Sequence, residues 1–382
     1  MKAGAPLAVE MVLPSLEIGG METMVAALAQ ALAARGHRVG ITCLQQEGEL
    51  AQDVRRAGIP VALVPCPGTA PLLRPHPGLR SHFAARAADV VHAHNGVWAK
   101  AALAARAAGV PAVLHTAHGF ACDEPWFGDA LRWWAGLRTD VVAAVSAPLR
   151  EHLIRKARIP ASRVVTLING IDTARFAPKG RSGILREAIG IGPDVPLIGC
   201  VARLDPVKNL TLLLEAMALL VRHVPEARLA LVGDGPLRET LREQAEALGL
   251  GGRVLLAGTI ADTAPVYRDL DVFVLPSVSE GTSISVLEAM ASGTPVVATA
   301  VGGTPWLLGG GACGTLVPSE DAGALAEAIR SLLADPIGRS RMAQAARERV
   351  LEEFGHAAMV RAYEKLYRQV AGTSASLIRR EA

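Results

Sequence analysis

The sequence has few cysteines and no pattern among them. Cys43, Cys66, Cys122, Cys200 and Cys313 are odd in number and form no C-x-x-C pair or metal-spaced cluster. That argues against a disulfide framework or a cysteine-held metal and fits a reducing cytoplasm. Cys43 and Cys200 fall in apolar runs that read as buried strands. Lysine is scarce too, supplying six of the 39 basic residues, so each remaining lysine draws interest. A signal peptide is missing from the reading: no long apolar run followed by a cleavage site opens the chain. Residues 289–319 carry no charge, yet Pro295, Pro305 and Pro318 and many glycines interrupt them, which excludes a membrane-spanning helix.

What is present suits a soluble globular protein. Hydrophobic residues make up 51% and charged residues 20% of the 382 positions, a balance foreign to disordered chains. That length exceeds one typical core, so two domains are expected. The net charge of +3 is unevenly placed: residues 1–179 hold 19 Lys+Arg against 13 Asp+Glu, and the remainder 20 against 23. A basic first half could favour an anionic acceptor or membrane surface, or could simply be a solvated arginine-rich face. No nucleic-acid partner is expected.

Short apolar runs alternate with helical patterns. Strands are expected at 8–13, 38–44, 60–64, 89–93, 111–115, 140–145 and 163–168, and helices at 21–35, 97–108, 129–138 and 147–157. A polar Gly- and Pro-containing stretch, 173–195, reads as the connection between domains. The pattern then restarts with strands at 197–202, 228–232, 253–257, 271–275 and 295–299. Helices follow at 208–222, 236–248, 284–292, 321–334 and 337–353. Alternation of this kind implies βαβ units around parallel sheets, with ligands at the carboxyl ends of the strands.

Chemistry concentrates in a few segments. In EGTSISVLEAM, Glu280 and Glu288 bracket Gly281, Thr282 and Ser283, which open a helix. Free N–H groups and the helix dipole suit a pyrophosphate there, with a carboxylate at either end. Two solvated glutamates beside an ordinary N-cap would read the same way. In ARLDPVKN, Arg203 lies past a strand and Lys208 begins the next helix. Two cations at a strand's carboxyl end can neutralise a diphosphate and charge on a leaving group, or can be plain surface charges. Gly19-Gly20, between the first strand and first helix, would let backbone approach a ligand, or form a tight turn. His118, in LHTAHGF, could bond a sugar hydroxyl. With His92, His94 and His115 it looks superficially like a metal cluster, but strand and loop placement argues against one. Asp269-Leu-Asp271 mimics the D-x-D of metal-dependent transferases by chance, and Gly233-Asp234-Gly235 reads as a strand-to-helix turn. No metal and no cofactor are expected.

These segments, IGGMET, HTAHGF, VSAPLRE, INGIDTARF, VARLDPVKN, LVGDGPLR and SEGTSISVLEAM, stand in the order found in retaining glycosyltransferases of the GT-B fold, carbohydrate-active family four (glycosyl transferases group 1). The chain resembles that family over nearly its whole length. The resemblance implies two Rossmann-like parallel-sheet domains facing across a cleft. Residues 1–180 would form the acceptor side, 181–355 would bind the nucleotide sugar, and a helix at 356–371 would cross back. It implies Arg203 and Lys208 on the pyrophosphate, Glu288 on the ribose, Glu280 facing the donor sugar, Gly19 and Gly20 approaching phosphate or sugar, and His118 near the reacting carbon. Asn169 would lie between the domains. Trp306 departs from the family pattern, in which GG-x-P-E is frequent. The expected function is transfer of a sugar from a nucleoside diphosphate to a saccharide or lipid-linked acceptor, retaining configuration and without metal. A nucleotide-sugar epimerase, or a non-catalytic binding protein of the same fold, is the alternative. Trp126, Phe127, Trp133 and Trp134 beside Arg132 and Arg138 suggest a peripheral contact at the inner face of the membrane, or else core packing.

Overall fold

The computed structural model describes residues 5–67, 74–119 and 128–378; Cys122, Trp126 and Phe127 lie outside them. The chain divides into two compact units, Met1–Gly170 with Ala357–Ala382, and Ile171–His356. The division falls at 170 and not at 180. Residues after it are tied into the second unit, where Ile171 N–H bonds Phe354 O at 2.8 Å and Arg347 bonds the carbonyls of Thr173 and Phe176.

Seven parallel strands build the first unit: β1 (Ala8–Leu13), β2 (Arg38–Cys43), β3 (Val61–Leu63), β4 (Val90–His94), β5 (Ala112–Ala117), β6 (Val141–Ala144) and β7 (Val164–Thr166). They lie in the order β3-β2-β1-β4-β5-β6-β7. β1 is apolar on both faces because helices cover both, and every residue in it is buried. Its one charge, Glu10, is matched there by Thr42 at 2.6 Å and Arg86 at 3.0 Å. Helix Gly20–Ala34 buries Met24, Val25, Leu28, Ala29 and Leu32, a stripe of helical period against the sheet. The final helix, His356–Ile378, runs beyond the expected 371. Its Met359, Val360, Tyr363, Tyr367 and Val370 enter the same core as Leu7, Met11 and Leu28. Each fully buried side chain of this size contributes roughly 1.5–3 kcal/mol.

The second unit repeats the plan with six strands: β8 (Leu197–Val201), β9 (Arg228–Val232), β10 (Val254–Gly258), β11 (Val272–Leu275), β12 (Val296–Thr299) and β13 (Thr315–Val317). Their order is β10-β9-β8-β11-β12-β13, all parallel. In both sheets the strand order reverses beside the first strand, at β1/β4 and at β8/β11. Such a reversal opens a crevice at the strands' carboxyl ends.

Several elements were not foreseen. Strand β13 is three residues long and lies in the Gly-rich stretch. Helices Leu50–Arg56 and Pro77–Arg86 were unmarked, and the supposed connection 173–195 holds helix Ile184–Ile189. That short helix is stabilised from outside its own sequence. Asp269, fully buried, accepts from the N–H groups of Ser182 and Gly183 at 2.7 Å and of Leu185 at 2.9 Å. Asp271 pairs with Arg181 at 2.6 Å and Arg186 at 2.8 Å. The D-x-D pair is therefore occupied in anchoring the entry to this unit. Asp269→Asn replaces an acceptor by a donor facing amide N–H groups, and bonds to a charged acceptor are worth about 1.5–3 kcal/mol each. Thermal unfolding is expected several degrees lower; an unchanged midpoint would contradict the anchoring role.

Candidate functional site

In the second unit, the crevice between β8 and β11 gathers the residues singled out in the sequence. The loop after β8 carries Arg203 and is clasped from below by the turn after β9. Leu204 N–H bonds Asp234 O at 2.9 Å, and Gly233, at φ +130°, lies so close to Ala202 O that any Cβ would collide with it. The G-D-G turn thus shapes the Arg203 loop. Arg203 leaves 71% of its side chain exposed, and its Nε bonds Asp205 Oδ2 at 2.6 Å. Lys208 does not begin a helix as expected. It closes a 3-10 turn, Pro206–Lys208, ahead of helix Leu210–Leu220, with Asn209 in the left-handed region between them. A left-handed residue breaks the helical path, and asparagine tolerates it.

The loop after β11 brings Glu280 to Lys208. Lys208 Nζ lies 2.7 Å from Glu280 Oε1, and Ser277 Oγ donates to the same oxygen at 2.6 Å. Val278 N–H bonds Val207 O at 2.9 Å, so backbone fastens the two loops together. Gly302, at φ +53° in the VGGTP turn, leaves no room for a Cβ against Glu280 O, which accounts for the glycine there. Glu280 is 8% exposed.

Helix Ile284–Ala291 follows, with Ser283 as its N-cap and Ser283 Oγ accepting from Val286 N–H at 3.4 Å. Gly281 and Thr282 precede it and are buried. Glu280 and Glu288 are therefore not two ends of one helix, since only the second stands on it. Glu288 is buried, with its Oε2 accepting from Tyr267 Oη at 2.6 Å and from Thr263 Oγ1 at 3.4 Å. Burial pushes its carboxyl up to about 7, against the opposing pull of the Tyr267 bond and the Arg175 charge. Sequence reading missed Tyr267, Thr263, Ser277 and Asp205, whose contacts lie across turns and elements.

In the first unit, Gly19 is the extended N-cap of helix Gly20–Ala34, at the carboxyl end of β1. Glu22 occupies the space a Gly19 side chain would need. His118 follows β5. Its backbone N–H bonds Asn95 Oδ1 at 3.0 Å, its Nε2 lies 3.0 Å from His94 Nδ1, and burial pushes it down to about 3. The other histidines have structural partners. His92 meets Tyr367 Oη and Thr116 Oγ1, both at 2.7 Å, and His115 stacks on Trp98 with centroids 4.0 Å apart. Among the described residues no three His, Cys, Asp or Glu converge to hold a metal ion. Trp306 packs edge-on to Phe354 at 5.1 Å with the Arg349 guanidinium 5.4 Å over its ring, so it serves the second unit's packing.

Two doubly wound parallel sheets, each reversing strand order beside its first strand, give a GT-B, Rossmann-like architecture. The Glycosyl transferases group 1 model matches residues 183–349, and the Glycosyltransferase Family 4 model matches residues 18–175. A relative in Mycolicibacterium smegmatis, the GDP-mannose-dependent alpha-(1-6)-phosphatidylinositol monomannoside mannosyltransferase, is 33% identical over 88% of this chain and 91% of that protein. The chain belongs to the group 1 glycosyltransferases. The Escherichia coli UDP-Gal:alpha-D-GlcNAc-diphosphoundecaprenol alpha-1,3-galactosyltransferase is 28% identical over 73% of this chain and 75% of its own. In fold, Anabaena HepE in complex with UDP is similar at TM-score 0.80, with 22% identity over 94% of this chain and 99% of that one.

Proposed function

We propose that this glycosyltransferase moves a hexosyl group from a nucleoside diphosphate sugar to a lipid-linked saccharide or related acceptor, with retention of configuration. The second unit takes the donor and the first the acceptor. The observation that carries this reading is the Lys208–Glu280 pair at 2.7 Å, standing at the β8/β11 reversal beside exposed Arg203. Arg203 and Lys208 neutralise the diphosphate, helped by N–H groups around Gly281, Thr282 and Ser283. Glu280 faces the donor sugar and Glu288 the ribose. Gly19 and Gly20 admit the phosphate or sugar, and His118 lies near the reacting carbon. The anomeric carbon–phosphate oxygen bond breaks, the acceptor oxygen attacks from the same face, and its proton passes to the leaving diphosphate.

The two curated relatives name different nucleotides but both name lipid-linked acceptors, which supports an acceptor of that class here. Thermal stabilisation by UDP-, GDP- and ADP-sugars identifies the base: a ligand at ~100 times its Kd stabilises by ~2.7 kcal/mol. No shift with any of the three would overturn the donor assignment. Full activity is expected in excess EDTA, because two cations stand where a metal would act. Activity lost to chelator and restored by magnesium or manganese would reverse that.

The reading also places the protein at the cytoplasmic face of the membrane. No helix among the described residues is long and apolar enough to cross one. Trp133 and Leu137 are exposed, at 46% and 51%, and Trp133 lines a hollow of about 390 Å³ with Lys156 and Arg158. Trp134 differs: it packs against the core and carries Arg138 at 3.9 Å over its ring. Anionic vesicles are expected to bind the protein at low salt and to lose it when Trp133→Ser and Leu137→Ser are combined. Flotation unaffected by that folded variant would refute the surface.

A further inference from the structure

His94 and His118 share one hydrogen bond, and each has one ring nitrogen left over. His94 Nδ1 is 3.0 Å from His118 Nε2, whereas His94 Nε2 and His118 Nδ1 are buried and meet no partner among the described residues. Both rings are neutral at physiological pH: burial pushes His118 down to about 3 and His94 well below the ordinary histidine value, the latter aided by the neighbouring histidines.

A neutral imidazole carries one N–H, so the shared bond admits two arrangements. Either His94 Nδ1–H donates and His118 keeps its proton on Nδ1, or His118 Nε2–H donates and His94 keeps its proton on Nε2. Each arrangement leaves one N–H without an acceptor among the described residues, and a buried orphan donor is the costly kind of unsatisfied group. The favoured arrangement puts that donor where an acceptor can come to it. His94 is fully buried, with its ring 4.1 Å from that of His92, which is itself held at both nitrogens. His118 is half-buried at the carboxyl end of the sheet. There a small ring movement can bring the N–H to a ligand oxygen.

We infer that His94 is a positioning residue that holds His118 as its Nδ1–H tautomer, a donor poised for an oxygen of the substrate. This rests on the reading of His118 as facing substrate. The His92 ring, braced by Tyr367 and Thr116, limits how far His94 can turn, so the shared bond has one geometry to adopt.

Histidine-selective ¹⁵N labelling of the full chain, with long-range ¹H–¹⁵N correlation, reads the tautomer independently of activity. His118 is expected as Nδ1–H in the wild type and in His94→Asn, whose amide nitrogen stands near the place of Nδ1, and not in His94→Leu. Turnover is expected to fall about tenfold in His94→Leu, the worth of one neutral hydrogen bond, and to recover in His94→Asn. Nucleotide affinity should stay unchanged in both. An Nε2–H His118 in the wild type overturns the inference, as do equal losses in the two folded variants. If His94→Leu does not fold, the wild-type spectrum decides alone. If the tautomer follows His94 while His118→Ala keeps full turnover, the coupling stands and the substrate-facing reading of His118 falls.

Discussion

Arg203→Ala is expected to fold normally and to turn over about 10²–10³-fold more slowly, because one preorganised contact to developing charge is worth ~2.7–4 kcal/mol of barrier. Its own side chain is 71% exposed, but it is what holds Asp205, a buried carboxylate whose Oδ1 meets no partner among the described residues, so the folded variant should also melt somewhat earlier. Lys208→Ala should lose turnover to a similar degree, and for a like reason some stability. It strips the 2.7 Å partner from Glu280, which is 8% exposed and keeps, among the described residues, the side-chain bond from Ser277. An under-satisfied buried carboxylate costs about 1–3 kcal/mol or more, so this variant should also melt earlier. Purified variants that both turn over near the normal rate would remove these residues from the leaving-group site.

Glu288→Gln is expected to make the protein more stable and a poorer nucleotide binder. Burial holds the Glu288 carboxyl at about 7, above its ordinary 4.5, so the fold favours the protonated acid. Stability from that preference is complete below about pH 4.5 and is lost as pH rises through about 7. Glutamine has no proton to lose. The variant should match the wild type near pH 5 and exceed it near pH 8 by up to about 3 kcal/mol, read as a pH-dependent gap in unfolding midpoints. If Glu288 accepts from ribose hydroxyls, nucleotide affinity should fall about 10–100-fold in the variant. In the wild type it should weaken as pH drops below about 7. An equal gap at both pH values would refute the raised carboxyl, and unchanged affinity would refute the ribose contact.

The strands were largely legible because parallel strands covered on both faces must be continuously apolar, as in Ala8–Leu13 and Val272–Leu275. Strand β13 escaped because three residues within a glycine-rich stretch carry no such run. Around the candidate site, Arg203, Lys208, Glu280 and Glu288 could be picked out from charge type and their place after strands. Their mutual arrangement could not. Lys208 and Glu280 are 72 positions apart and meet only because β8 and β11 are adjacent in the sheet. Tyr267 reaches Glu288 from 21 positions upstream through two packed helices, with no local signal beyond a lone aromatic. Asp269 and Asp271 looked like a chance match because their partners at 181–186 belong to a segment whose helix is too short to announce itself.

The last helix has a consequence for how the chain is made. Residues 171–356 form one contiguous unit, whereas the core of the other is completed by Met359, Val360, Tyr363 and Tyr367. During vectorial synthesis the leading segment leaves the ribosome without those side chains, and the core they share with Leu7, Met11 and Leu28 stays incomplete while the whole middle unit is translated. At roughly 5–20 residues per second that interval is on the order of 10–40 s. The later-made unit can thus reach its native state before the earlier-made one closes, and a nascent chain stalled before Met359 would present an open apolar face to chaperones.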